Sequence, residues 1–524
     1  MPLKLDWEPF YSLPEGVEVA VGDRVSVLFS GKEYMAVVSK TNALPDASVS
    51  QRTIFPILEK VTELPRITEL EMKFWRAVAG YYLCTPGEVY KTVYFQDRKP
   101  PRKWEYKDRS TINYEPLLSA ENAYSGVLDA FAAGKTVLLH GAGLEDVYLK
   151  LAVNFIKGGK SVLYLVPDVA FTKRLEERVA AVFPDVMIYH SGLTEARRRD
   201  VVLEARSGKP VVVMGTRSAL WIPFAKLGLV IVDQEHEVSF KQESPAPRYH
   251  ARDAAIILAS LCGANVLLGS STPSLESQYN SASGLFARIE APVIDGAASV
   301  TVIDSIAEKR KRGMVGELSL KLLAQVKQVK DAGGKVLVVC WNPVDIQDVA
   351  FATPYTVKSM PVDDYDLIAV LNAESLLGKE DFRSDERAYQ LLRRLSAHCP
   401  LVVQTKDSAH PVFRALAGSN DLDAAMMAER QAFNYPPYTR LVSVKMSDTD
   451  ESRLTLRSRL LRNRLCEALR QFGDPLILGP LNGETRIFFK RDRNLYAGKQ
   501  ALYKEVCSFE QQYSCHIVID VDPV

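Results

Sequence analysis

Short, wholly apolar runs punctuate the middle of the chain at Thr136–Leu139, Ser161–Val166, Val211–Met214, Leu227–Val232 and Val266–Leu268, with stretches of helical periodicity between them. Runs with no polar face predict strands covered on both sides, as in a parallel sheet under helices. The repeated strand–helix order over 118–295 therefore predicts a doubly wound α/β domain. From 296 to 435 the pattern returns more weakly, with candidate strands at Ser299–Ile303, Lys335–Trp341, Tyr355–Met360, Leu367–Leu371 and Leu401–Gln404. It predicts a second, smaller α/β lobe. Residues 1–95 read differently. Alternating stretches at Val19–Phe29 and Tyr34–Val38 predict a small β-rich unit. A helix follows, with Leu70, Met72, Phe74, Trp75, Val78, Tyr81 and Tyr82 at apolar positions. Residues 436–524 join an arginine-rich helix (Arg453, Arg457, Arg459, Arg462, Arg464) to strands that finish at the C-terminus, a pattern expected of an α+β domain. Residues 96–117 show no period and predict a linker.

The length of 524 residues suits about three or four domains. A content of 47% hydrophobic and 25% charged residues is that of an ordinary soluble protein. No apolar stretch reaches the roughly 18 residues of a membrane span, and the N-terminus lacks an apolar signal core. The expected location is the cytoplasm, in association with the nucleoid if DNA is the partner. A net charge of +1 excludes a global basic field, so nucleic-acid binding has to rest on local patches. The linker is one such patch: Arg98, Lys99, Arg102, Lys103, Lys107 and Arg109 surround Trp104 and Tyr106. That mixture can grip phosphates and stack bases, or can simply be solvated. The seven cysteines are scattered without a C-x-x-C pair, so neither a zinc site nor a disulfide framework is expected.

The candidate chemistry lies where the apolar runs end. A phosphate-binding loop needs G-x-x-x-x-G-K-[ST] between a strand and a helix. After Thr136–Leu139 the chain reads His140-Gly141-Ala142-Gly143-Leu144-Glu145-Asp146, which keeps two glycines but neither the Lys nor the hydroxyl. Glu145 and Asp146 would repel phosphate there. Gly134-Lys135-Thr136 and Gly158-Gly159-Lys160-Ser161 carry the right letters but precede strands, as ordinary helix-to-strand turns do. Leu227–Val232 ends in Asp233-Gln234-Glu235-His236. Asp233 could hold Mg²⁺ through water, but hydrolysis also needs a group that orients or deprotonates the attacking water. Gln234 cannot take a proton as a carboxylate does. Glu235 is expected to point elsewhere, because the chain turns. The remnant ATP site is thus Gly141, Gly143, Asp233, Gln234, Glu235 and His236.

Further segments complete a pattern: Val166-Pro-Asp-Val-Ala-Phe-Thr172, His190-Ser-Gly-Leu-Thr194, Gly215-Thr-Arg-Ser-Ala219, Ser239-Phe-Lys-Gln242, Pro247-Arg-Tyr-His-Ala-Arg-Asp253, Gly269-Ser-Ser-Thr-Pro-Ser-Leu-Glu-Ser277, Asp381-Phe-Arg-Ser-Asp-Glu-Arg387, Tyr435-Pro-Pro437 and Asp520-Val-Asp-Pro523. With these residues in this order the chain resembles the PriA family of replication-restart helicases of superfamily 2. The similarity is strongest over 136–277. The resemblance implies two RecA-like lobes with helices on both faces of parallel sheets. It divides the chain into a DNA-3′-end-binding-like domain (1–95), a basic linker (96–117), lobe 1 (118–295), lobe 2 without a zinc insertion (296–435) and a C-terminal domain (436–524).

The departures are specific. The phosphate loop is shortened and lacks its Lys. The helicase glutamate is Gln234. Arg393-Arg394-Leu-Ser-Ala-His398 stands where the family carries its arginine-finger motif. The winged helix and the zinc-binding cysteines are missing. The loop after the acidic motif keeps aromatic and basic residues, so DNA contacts are expected from Thr216, Arg217, Phe240, Lys241, Gln242, Arg248, Tyr249, His250 and Arg252. Basic clusters at 197–199, 309–312 and 490–493 could add phosphate contacts. In the N-terminal domain, Arg52 takes the 3′-end pocket's basic position and Phe10 its acidic one. The implied partner is forked or single-stranded DNA. Other primosome proteins, single-stranded DNA-binding protein and the replicative helicase are further candidates, and no membrane is involved. No cofactor is expected: ATP with Mg²⁺ would enter only if the degenerate loop still binds it, and there is no zinc. The expected function is primosome support in replication restart without ATP-driven unwinding. An active 3′–5′ helicase with a non-standard nucleotide site, and a protein–protein scaffold without DNA binding, remain as alternatives.

Overall fold

The computed structural model describes residues 1–45, 54–93, 121–167, 172–291, 299–360, 362–378, 381–397, 399–419 and 421–524. The linker at 96–117 and Arg52 lie outside the described residues.

The N-terminal unit is a three-stranded antiparallel sheet, β1 (Arg24–Phe29), β2 (Lys32–Val37) and β3 (Glu59–Val61), in the order β2-β1-β3. Val25 and Val27 fill its small core. Helix α1 (Glu69–Tyr82) starts on a reciprocal cap: Glu71 N–H donates to Thr68 Oγ1, and the Glu71 carboxylate accepts from Thr68 N–H. Its buried face (Met72, Phe74, Trp75, Val78, Tyr82) continues into the core of the next domain. A short helix α2 (Pro86–Val93) follows.

The central domain contains α3 (Glu121–Ala132), β4 (Thr136–His140), α4 (Glu145–Lys157), β5 (Ser161–Leu165), α5 (Thr172–Val182), β6 (Met187–Tyr189), α6 (Glu195–Arg206), β7 (Val212–Gly215), β8 (Leu227–Asp233), α7 (Ala251–Cys262), β9 (Asn265–Ser270), α8 (Leu275–Ala282) and β10 (Phe286–Glu290). Its seven strands are all parallel, in the order β10-β4-β9-β8-β5-β7-β6. β5 is buried at every position, and β8 at every position but its last. Two apolar clusters, one on each face, account for that pattern.

The second lobe is a smaller parallel sheet of five strands, in the order 300–304, 401–405, 367–370, 336–339, 350–352. The segment Tyr355–Met360, expected as a strand, is a 3-10 turn at Thr356–Ser359. Thr353 and Thr356 explain it, because each side-chain hydroxyl accepts from the other's backbone N–H. The edge strand is Ala350–Ala352 instead. The C-terminal residues form a four-stranded antiparallel sheet, in the order 476–481, 484–490, 439–447, 516–521, with long helices at Glu451–Leu469 and Leu495–Tyr513. Its core residues, among them Val442, Leu465 and Phe509, belong to the same apolar cluster as α1 and one face of the central sheet.

Among the described residues no helix is long and apolar enough to cross a membrane, and no three His, Cys, Asp or Glu side chains gather as metal ligands would. All seven cysteines are free.

Candidate functional site

In a doubly wound sheet, ligands bind beyond the carboxyl ends of the strands, where the order reverses. Here that place is bounded by the ends of β4, β8 and β9. Gly141, at φ 145°, leaves β4 and donates to the Ser270 carbonyl at 3.1 Å. A β-carbon on Gly141 would lie 2.8 Å from that of Ala291, so the turn requires glycine. Ala142 alone separates it from Gly143, at φ 62°. Leu144 is buried, and α4 opens directly with Glu145 and Asp146. Arg178 of α5 pairs with Asp146 and lies 3.9 Å from Glu145. The helix N-terminus, which could receive an anion, thus already has two of its own.

Tyr148, one turn into α4, is fully buried and donates its hydroxyl to Asp233 at 3.2 Å. A β-carbon on Gly269 would collide with that hydroxyl, so the close approach of α4 to β9 depends on glycine at 269. Burial, then the charge of Glu145, pushes the Asp233 carboxyl up to about 7.

Gln234 sits at φ 49°, in the left-handed region. Its side chain makes no hydrogen bond among the described residues. The backbone reversal sends Asp233 and Glu235 to different places. Glu235 is completely buried and accepts from Ser274 N–H (2.7 Å), Ser274 Oγ (2.9 Å), Ser277 Oγ (2.9 Å) and Arg252 Nη1 (3.0 Å). Arg252 also binds Asp253 at 2.8 Å, whose carboxyl is held far below its ordinary range despite burial, chiefly by that guanidinium. His236 Nδ1 lies 2.7 Å from Ser270 Oγ, and burial lowers the imidazole pKa.

This cluster reaches into the second lobe. Glu386, on the helix Ser384–Leu395, accepts from Leu275 N–H at 2.9 Å and pairs with Arg430, which is itself buried. Arg430 also approaches Glu276 at 3.6 Å, and Arg383 does so at 3.2 Å while donating to the Pro523 carbonyl at 3.0 Å. Glu276, Glu386 and Arg430 were not picked out from the sequence. Glu276, Glu386 and Arg383 lie inside matched motifs, and Arg430 carries no local signal at all.

The loop expected to hold DNA needs correction. Phe240 (0% exposed), Tyr249 (1%) and Lys241 (2%) are interior residues, and Gln242 and His250 are buried with them. A ring with no exposed face cannot stack on a base in this conformation. Tyr249 accepts from the Trp221 indole at 3.0 Å and donates to the Arg217 carbonyl at 3.2 Å. The Lys241 ammonium binds Asp520 and the carbonyls of Val521 and Arg248, each at 2.7 Å. A buried ammonium needs such acceptors, and here they tie the central domain to the C-terminal strand. Gln242 donates to the carbonyls of Pro245 and Pro247. His250 caps α7 by accepting from Arg252 N–H, and burial followed by the Arg252 charge lowers its pKa to about 3. Arg252 is spent on Glu235 and Asp253. Arg217 donates to the carbonyls of Ser239 and Lys241, and Thr216 is half-buried beside it. Arg248 remains. It is half-buried, and its guanidinium has no hydrogen bond or ion pair among the described residues. Lys309, Arg310 and Lys311 are exposed on the second lobe.

Two parallel α/β lobes, with acidic and Ser-Thr-Pro motifs at the strand ends between them, define the helicase-like class with RecA-like lobes. Within that class the chain is PriA-like. Residues 1–94 match the family model of the PriA 3′ DNA-binding domain (3′BD). The chain is 30% identical over 276 residues to replication restart protein PriA of Rickettsia felis, covering 52% of this chain and 42% of that one. It is 34% identical over 252 residues to the Haemophilus influenzae PriA, covering 45% and 33%. The Synechocystis PriA is 26% identical, with 74% and 62% covered. The chain therefore spans less than two thirds of the length of these relatives. Among solved structures it is similar to RecG bound to a three-way DNA junction, at 14% identity and a TM-score of 0.39, covering 61% of this chain and 47% of that one.

Proposed function

We propose that the protein acts in replication restart by binding forked or single-stranded DNA and supporting primosome assembly, without ATP-driven unwinding. DNA binding is supported by the match of residues 1–94 to a 3′ DNA-binding domain. The observation that carries the second half is the β4–α4 turn. Leu144 and Glu145 follow Gly143, where a phosphate loop has Lys and a hydroxyl. Glu145 and Asp146 open α4 beside Arg178, where the loop would need a cation of its own, and Gln234 supplies no base. This donor set does not fit Mg²⁺-ATP.

The test is an ATPase assay with forked DNA, run beside salt-dependent binding of the same DNA. Expected are no turnover above background and affinity that falls linearly with salt on logarithmic axes. Turnover abolished by Asp233→Ala would restore the motor reading. A scaffold without DNA binding is the second reading, favoured by the burial of Phe240 and Tyr249. Absence of DNA binding at low salt would select it.

A further inference from the structure

A cavity of about 160 Å³ lies where helix α1 of the N-terminal unit packs on the central domain. Phe74 and Trp75 of α1 wall one side, and Trp221, Phe224 and Leu258 of the central domain wall the other. Thr68 and Ala225 are exposed at its rim, which leaves a way in. It shares no residue with the site at the ends of β4, β8 and β9. One charged pair reaches the wall, Arg206 with Glu71, and its hydrogen bonding is lopsided. The Glu71 carboxylate accepts from Arg206 Nη2 at 2.7 and 2.8 Å and from Thr68 N–H at 2.8 Å. Arg206 Nη1 donates to the Arg66 carbonyl at 2.8 Å. Arg206 Nε is buried without an acceptor among the described residues. A buried charged donor left unsatisfied is costly, and a ligand that brings an acceptor removes the cost.

These features set the chemistry of the ligand. A mostly apolar cavity of this size takes a molecule of about one substituted benzene ring. The rings of Phe74, Trp75, Trp221 and Phe224 suit an aromatic body. The Arg206 donor is open and the Glu71 carboxylate is taken, which calls for a ligand with an acceptor and no donor of its own. Glu71 shares the wall, so an anion would meet a like charge.

We propose that this cavity binds a small neutral aromatic molecule carrying one carbonyl group, whose oxygen accepts from Arg206 Nε. Such a ligand touches α1 and the central domain together, so occupancy strengthens their docking. The site depends neither on DNA binding nor on the β4–α4 turn.

The experiment is a ligand-observed NMR titration of the full chain with acetophenone. Ethylbenzene, which keeps the shape without the acceptor, and benzoate are compared. Expected is saturable binding of acetophenone, with benzoate weaker. Arg206→Lys keeps a cation for Glu71 but removes the Nε donor. It should weaken acetophenone about tenfold and change ethylbenzene by less than about threefold. Cys262→Phe fills the cavity from the half-buried end of α7 and leaves Arg206 in place, so it tests the site even if Arg206→Lys perturbs folding. It should abolish binding of both molecules. Amide exchange over 69–82 should slow with saturating acetophenone in the wild type and not in Cys262→Phe. Absence of saturable acetophenone binding overturns the proposal, as does binding indifferent to Cys262→Phe. Equal weakening of acetophenone and ethylbenzene by Arg206→Lys overturns the role of Nε, and tighter binding of benzoate overturns the neutral ligand.

Discussion

Replacing Glu235 tests whether the acidic motif now serves structure. The carboxylate has no exposure to solvent and receives four hydrogen bonds, from Arg252, from Ser274 twice and from Ser277. Glu235→Ala removes all four acceptor contacts. Arg252 keeps Asp253 as a counter-ion, so its charge is only partly uncompensated. The Ser274 N–H and the Ser277 hydroxyl lose their acceptor in a buried place. Breaking a buried pair from one side costs about 3–5 kcal/mol, and each orphaned donor about 1–3 kcal/mol, with strong overlap between the two. The expected net loss is ~3–5 kcal/mol. Glu235→Gln keeps the volume and one acceptor oxygen but turns an NH₂ toward donors, so it should cost roughly half as much. Amide exchange read by mass spectrometry suits a chain of several domains, where a single unfolding free energy is poorly defined. Protection over 272–278 should fall by about two to four orders of magnitude in Glu235→Ala. The loss should spread to 384–395, because Leu275 N–H bonds Glu386. A change below ~1 kcal/mol in local opening, or a loss confined to 233–237, would refute the reasoning.

Other perturbations separate structure from vestigial chemistry. Gln234→Glu should leave DNA-stimulated ATPase at background, because the β4–α4 turn still lacks its Lys and hydroxyl; measurable turnover would contradict this. His250 is held neutral, its pKa lowered from 6.5 to about 3, so its contribution is present above pH 6.5 and lost as pH falls from there toward 3. His250→Asn keeps a capping side chain without a titrating group, and should flatten thermal stability between pH 7 and pH 5. Asp233 titrates with the opposite sign. Its carboxyl is raised from 3.8 to about 7, so the folded state loses stability as pH rises through that window. Asp233→Asn should therefore raise the melting temperature at pH 8 more than at pH 5. Gly269→Ala should abolish soluble expression or strongly lower the melting temperature, and Tyr148→Leu should partly rescue it by withdrawing the group that collides.

The parallel sheets were legible because strands buried on both faces leave continuous apolar runs, and β5 and β8 do so without a break. β6 and β10 escaped notice for the converse reason: the first has three residues and the second alternates half-buried with exposed positions. Tyr355–Met360 misled because its apolar spacing is overruled by the two threonines that close a turn. At the site, the residue letters were readable but their directions were not. The position of Asp233 follows from the end of a strand. The burial of Glu235 depends on a left-handed Gln234 and on Ser274 and Ser277, 39 and 42 residues away. Aromatic and basic residues at 240–252 have the composition of a nucleic-acid loop. Only the packing of Trp221 and the C-terminal strand against them reveals that most are interior.

If the phosphate loop is inactive, as proposed, the same long-range contacts bear on how such a framework can persist. A motor needs lobes that separate and close, and the free energy for that cycle comes from nucleotide binding and release. Here α8 and the helix at 384–395 are joined through Glu386, Arg430, Glu276 and Arg383, and Arg383 reaches on to Pro523. Lys241 makes a second, buried junction between the central domain and the C-terminal strand, and half-buried Arg206 joins the central domain to Glu71 of α1 at 2.7 Å. Opening the lobes would expose or unpair several of these charges at once, and a buried charge stripped of its partner costs several kcal/mol. On the proposed reading no nucleotide offsets that cost, and the closed arrangement is the stable one. On the proposed reading, the residues around Gln234 are retained because they brace the domains in one fixed orientation for DNA and partner proteins.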